Sequence, residues 1–363
     1  MSNLEKNKTQ IINKKLQEIE IIKAIAIFLI VTTHMGVYAS HDYLGFLQPY
    51  LGRAGLGLFV FTSGYSLYHN YRKIDGSGDI IRFYKKRLVR ILPLYWFSLI
   101  IQTFLIYNAG TDENITIGNF LACAAGLQVL LSPKYVDYSF WGLWYIGMIL
   151  ILYTVYPLII YNGKKNIFFN SCVVFSVFLL TRLLFDIIDI RFFLYYFIFI
   201  AGILIKSTNL DENRLYNAIT RISPYVFVTL TYIRFKYINI DVKEEYLSEA
   251  NPILIILSLG GLILSFVILS YELIISNIGL FNRKIFNFFE YVSTASFPLY
   301  LLHQPVLYTV KLYMYPYINN EISSDLIMLV IIIPALIISC YQIQIYEKPA
   351  LKKLNNYLNF NSH

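Results

Sequence analysis

Ten apolar stretches, each close to the length a helix needs to cross a bilayer, recur along this chain. They fall at about 19–38, 52–70, 88–107, 140–161, 167–185, 191–206, 218–235, 252–272, 291–310 and 325–346. Lipid offers the backbone no hydrogen-bond partner, so a chain patterned this way must satisfy its own peptide groups within helices. The expected fold is an all-α integral membrane protein, a bundle of about ten transmembrane helices. Only 14% of the 363 residues are charged and 57% are hydrophobic, whereas soluble domains are about 25% charged. The 32 Tyr and 27 Phe suit aromatic belts at the two membrane interfaces. The weakest segment is 218–235, which carries Arg221, Pro224 and Arg234. The stretch 115–131 is short for a span and is expected as a re-entrant or interfacial helix.

The net charge of +8 is spread over separate loops, which argues against a nucleic-acid partner. With the N-terminus in the cytoplasm, the inner loops hold Arg72, Lys73, Arg82, Lys85, Lys86, Arg87 and Arg90, then Lys164, Lys165, Lys206, Arg214, Arg283 and Lys284. The outer loops hold fewer: Lys134, Arg191 beside Asp186 and Asp189, Lys236, Lys243 and Lys311. That bias follows the positive-inside rule and puts both termini inside. The expected organisation is a basic cytoplasmic tail (1–18), a membrane domain (19–346) and a cytoplasmic C-terminal tail (347–363), with no appended soluble domain. Val37-Tyr38-Ala39 could pass for a cleavage site, but Lys23 interrupts the apolar run and many spans follow, so a retained first helix is expected. Cys123, Cys172 and Cys340 lie alone in separate apolar runs, without metal or redox spacing, and read as small buried hydrophobes.

Four constellations stand out. Lys23 and His34 are eleven residues apart, nearly one face of a helix and about 16 Å along its axis. Ionisable side chains within a span point to function, although the pair taken alone reads more readily as a snorkelling lysine and a packed histidine. In the second segment, Gly55, Gly57 and Gly64 form a small-residue seam. Ser63 stands beside Gly64 without the G-x-S-x-G frame of a nucleophile elbow, and Arg53 sits at the outer end. The run 82–96 is the densest in basic residues. Such clusters commonly meet anionic lipid, yet Arg87 and Arg90, three apart, share a face where a phosphate can be held, with Lys86 beside them. Pro93 should kink this helix and open space for a site. Late in the chain, Tyr300 and His303 lie one turn apart. Two histidines in separate spans could ligate a metal, but no Asp, Glu or Cys near either offers a third ligand, so no metal is expected.

These residues together resemble acyltransferase family 3 of integral membrane acyltransferases, over about 20–349. Lys23…His34 stands where that family carries arginine, ten residues and histidine. GLGLFVFTSGY at 55–65, RLVRILPLY at 87–95, WYIGMILILYTVYP at 144–157, YLLHQP at 300–305 and Glu347-Lys348-Pro349 follow in the family's order. Lys23 departs from arginine and lacks its planar fork. Ile149 and Leu150 replace a glutamate that many relatives carry. No esterase-like domain is fused, so the membrane unit is expected to act alone or with a separate partner.

The resemblance implies transfer of an acyl group, acetyl by expectation, from cytoplasmic acyl-CoA to a hydroxyl of a cell-envelope glycan. It implies catalytic roles for His34, Ser63 and His303 and donor binding by Lys23, Lys86, Arg87 and Arg90. Arg53, Trp144 and Tyr300 would bind the acceptor. Acyl-CoA is then a co-substrate, with no tightly bound cofactor. The partners are the glycan, the donor and the lipid bilayer of a bacterial plasma membrane, and self-association is compatible with the sequence. The rival class is an exporter of polysaccharide or lipid-linked sugar, for which a ten-span bundle with aromatic walls would also serve.

Overall fold

The computed structural model describes residues 3–39, 43–74, 76–109, 115–131, 140–208, 214–237, 256–318 and 321–360. Among them there is no strand, and nearly every residue is helical. Six helical segments are long and apolar enough to cross a membrane: Gln17–Tyr38, Gly76–Asn108, Lys164–Phe185, Ile190–Ser207, Ile256–Leu280 and Ile322–Leu351. The other expected segments are helical too. They are α2 (Gln48–Asn70), α6 (Trp144–Ile159), α9 (Arg214–Tyr237) and α11 (Arg283–Tyr313). All four fall outside that set. For α6 the reason is length, since it is apolar but has only 16 residues; for α2 and α11 it is burial, since a helix enclosed by other helices need not be apolar all round.

The first helix, α1 (Asn3–Tyr38), runs without a break through the stretch marked as a tail. Lys, Glu, Gln and Leu are good helix formers, and neither Gly nor Pro intervenes before Gly36. At the other end α12 (Glu321–Ile327) leads through a wide turn at Met328–Ile332 into α13 (Ile333–Phe360), which likewise continues through Pro349. The 115–131 stretch forms two short helices, α4 (Ile117–Ala124) and α5 (Gln128–Leu131). Neither can span. Tyr95 and Trp96 of α3 (Gly76–Ala109) pin them by donating to the Cys123 and Ala124 carbonyls at 2.5 and 2.9 Å.

Glycines of α2 set the centre of the bundle. A Cβ on Gly55 would lie 2.7 Å from the Ala26 carbonyl oxygen of α1. One on Gly64 would lie 2.2 Å from that of Phe199 in α8 (Ile190–Ser207). One on Gly57 would meet Ile263 of α10 (Gly261–Asn277) at 2.5 Å. Gly202 repeats the approach from α8, 2.2 Å from the Phe61 carbonyl. Two helices, α1 and α8, therefore touch α2 almost backbone to backbone and α10 packs a side chain onto Gly57; there dispersion and weak polar contacts replace a hydrophobic drive. By contrast α7 (Ile167–Phe185) leaves Phe168, Phe169, Val177, Leu180, Leu183 and Leu184 exposed, a face fit for lipid.

Side-chain pairs give the helix directions. Arg53 meets Tyr195 and Phe61 meets Gly202, so α2 and α8 run the same way. Gly57 meets Ile263 and Phe61 meets Tyr271, so α10 joins them. Glu20 meets Ser293 and His34 meets His303, so α1 and α11 run parallel in the opposite sense. One end of the bundle thus gathers the start of the first span, the basic start of α3 and the start of α11. It is called the basic end below. The expected outer loops around Lys134 and Lys243 lie outside the described residues.

Candidate active site

His303 sits within α11 between Pro298 and Pro305 and is 1% exposed. Pro305 has no N–H, which frees the Leu301 carbonyl one turn back. Ser98 of α3 donates to that carbonyl at 2.8 Å and holds the segment in place. The Nδ1 of His303 lies 3.0 Å from the Leu299 carbonyl oxygen and 2.7 Å from that of Tyr300. Carbonyl oxygens only accept, so this network assigns the hydrogen to Nδ1 and leaves Nε2 of the neutral ring bare. That Nε2 lies 3.1 Å from Nδ1 of His34, which is also 2.9 Å from the Ile30 carbonyl. His34 must then carry its hydrogen on Nδ1, with the lone pair on Nε2. The rings meet edge-on at 64°, centroids 4.8 Å apart. An imidazole gripped at one nitrogen with a lone pair on the other is the arrangement a general base requires.

A file of polar groups continues from the pair. The Tyr300 ring lies 5.9 Å from His303 and 5.0 Å from Tyr145 of α6. Tyr145 in turn lies close to the half-buried Ser63 of α2. Tyr300 also donates to the Gly142 carbonyl. Gly142 has φ +68°, and a Cβ there would lie 2.9 Å from Gln304 Nε2, so the turn needs glycine twice over. Gln102 donates to the Trp141 carbonyl at 3.2 Å and Gln128 to that of Leu143 at 2.8 Å. Three consecutive carbonyls are thereby fixed from three directions, which sets the start of α6.

Arg53 and Trp144 meet through Tyr195, whose hydroxyl donates to the Arg53 carbonyl at 3.2 Å and whose ring lies 6.2 Å from Trp144. Trp144 carries the guanidinium of Arg191 at 4.2 Å over its ring. Arg191 is paired with Asp189 at 2.7 Å, both buried. Asp189 also accepts from the Arg191 backbone N–H and caps α8. This cluster occupies the end of the bundle opposite the basic end.

At the basic end Lys23 is engaged by Glu20 at 2.9 Å, and Glu20 also accepts from Ser293. Arg87 lies over three rings, Tyr71 at 4.9 Å, Tyr153 at 5.7 Å and Phe83 at 5.8 Å, with its Nε buried and without a protein partner among the described residues. Arg90 is exposed and lies within the electrostatic reach of Glu20 and Glu347. Arg87 therefore turns towards α2 and α6 while Arg90 turns towards α1 and α13, and Lys86 is exposed beside them. The structure thus joins His34 to His303, Ser63 to Tyr300 through Tyr145, and Arg53 to Trp144. It does not bring Arg87 and Arg90 onto one shared contact. Tyr145 and the Asp189–Arg191 pair escaped the sequence reading: one of 32 tyrosines carries no mark, and Arg191 entered only as a loop charge. Among the described residues no three His, Cys, Asp or Glu side chains gather as metal ligands.

The fold and this centre define a helical membrane protein with a pair of histidines in contact inside the bundle. The family model described as Acyltransferase domain, that of acyltransferase family 3, matches residues 16–343. This chain belongs to that family and is a membrane acyltransferase. No curated protein and no solved structure gives a significant match.

Proposed function

We propose that this protein moves an acetyl group from acyl-CoA, entering at the basic end, to a hydroxyl of a cell-envelope glycan at the opposite end. The observation that carries this reading is the His34–His303 contact, which leaves a lone pair on His34 Nε2. The acceptor oxygen attacks the thioester carbonyl carbon while its proton passes to His34 Nε2. The C–S bond then breaks, and the thiolate leaves and takes up that proton. His303 holds the His34 ring throughout by accepting from Nδ1. Arg87, in its aromatic cage, has a buried donor in reserve for a donor phosphate, and Arg90 and Lys86 add positive field at the same mouth. Lys23 lies about 16 Å from His34 along the helix, a distance a pantetheine arm spans. The Trp144, Arg53 and Tyr195 cluster offers an aromatic and polar surface on the acceptor side, and Ser63 and Tyr300 line the path between.

This reading takes the chain across a bacterial plasma membrane ten times with both termini cytoplasmic. The helix directions support it. Since α8 and α10 run the same way, the chain must return between them, and α9 packs on α10 where that return is needed. The charge bias supports a cytoplasmic basic end.

Replacing a general base typically costs 10²–10⁴-fold in rate. His34→Ala is expected to abolish O-acetylation while the protein still inserts, read by mass spectrometry of envelope glycans from deletion and complemented strains. O-acetyl groups restored by the His34→Ala protein would overturn the mechanism. Loss of the glycan itself on deletion would favour an exporter.

A further inference from the structure

A cavity of about 480 Å³ opens away from the histidine centre, between the first turns of α11, the start of the α1 span and the chain that joins α10 to α11. Arg283, Phe286, Asn287 and Glu290 line it from α11, Gln17 and Ile21 from α1, and Ile278 and Phe281 from the connection. The α11 residues fall at i, i+3, i+4 and i+7, a single helical stripe. One apolar span begins at Gln17 and another ends at Leu280, so the cavity lies at the level of the membrane interface. Among the described residues, the side chains of Arg283, Glu290, Asn287 and Gln17 form no ion pair and no hydrogen bond with one another or with the rest of the protein.

We infer that this cavity holds the headgroup of a zwitterionic phospholipid bearing a primary ammonium, as in phosphatidylethanolamine. A purely anionic ligand would meet the Glu290 carboxylate, and a purely cationic one the Arg283 guanidinium. A headgroup with a phosphate and an ammonium satisfies both. The two side chains stand two turns apart on one face, about 10 Å along the axis, and both are long enough to reach inwards. A primary ammonium has three hydrogens for Glu290 and the amide oxygens of Gln17 and Asn287, whereas a choline has none to give. Phe281, Phe286, Ile21 and Ile278 supply the apolar wall along which glycerol and the first methylenes would lie. The bound lipid would brace the α10–α11 turn against α1, the two helices that carry His303 and His34.

The test is lipid retention by the full-length protein from nanodiscs of equimolar phosphatidylethanolamine, phosphatidylglycerol and phosphatidylcholine, read by native mass spectrometry. Wild type is expected to retain phosphatidylethanolamine in preference. Glu290→Gln should cut that preference by about three- to tenfold, the effect of losing one interfacial charge contact. Arg283→Gln should lower retention of phosphatidylethanolamine and phosphatidylglycerol alike. Glycerophosphoethanolamine should displace the lipid. Equal retention of all three lipids by wild type would overturn the inference, as would an unchanged preference in both variants or displacement by inorganic phosphate. Acyl transfer is not read in this assay, so the outcome is separate from that of the proposed reaction.

Discussion

The role of His303 is open to a direct comparison of side chains. In His303→Gln an amide oxygen can still accept from His34 Nδ1, whereas in His303→Leu position 303 offers no acceptor and the Ile30 carbonyl within α1 is left to hold that nitrogen. The leucine variant should lose about 10²-fold in kcat with an unchanged KM for the donor, as expected when a base is loosened rather than removed. The glutamine variant should recover much of that loss. Equal defects in the two would reduce His303 to a packing residue. For the donor, Arg87→Ala is expected to raise KM for acyl-CoA more than it lowers kcat, measured with acyl-CoA varied against detergent-solubilised enzyme. At this scale the sequence showed both histidines, Ser63, Tyr300 and the helix-three arginines, because charged and hydroxyl groups are conspicuous in apolar runs. It did not show which of them meet. His34 and His303 are 269 positions apart, and that contact is set by how α1 lies on α11. Nor did it show that Lys23 faces Glu20 so closely, although an i, i+3 spacing permits it.

Among the elements, α2 is the most sensitive to a single methyl. Gly64→Ala places a Cβ 2.2 Å from the Phe199 carbonyl oxygen, which backbone cannot vacate unless α8 moves away. A loss of about 1–3 kcal/mol is expected, seen as a lower melting temperature in detergent. Gly78→Ala is the control: nothing lies within 4 Å, and alanine should hold or slightly raise stability in a helix. Ser98→Ala should cost about 1 kcal/mol by leaving the Leu301 carbonyl without its donor. The glycine seam and the prolines were legible as residues, and so was the inability of 115–131 to span. The length of α1 was not, because a hydropathy reading stops where polarity begins, whereas helix propensity carries the backbone on.

For the whole molecule, the alternating helix directions make the topology testable. Reporters inserted at 160–166 and at 278–282 should both be cytoplasmic, and one at 43–47 should lie on the far side; a split between the first two would remove α9 as a crossing. The general architecture was legible from hydropathy alone, since lipid permits so few solutions. The number of crossings was less so, because inner helices such as α2 and α11 are sheltered by their neighbours and carry Ser, Gln and His where an outer helix would carry Leu.

The contact between His34 and His303 also bears on how the protein comes into being. One member of the pair lies in the first span and the other in α11, so most of the chain must be synthesised and inserted before the base can form. A chain halted anywhere before α11 would sit in the membrane with His34 lacking its contact to His303. The protein would thus be chemically idle throughout its own biogenesis, and its activity would report that assembly had finished.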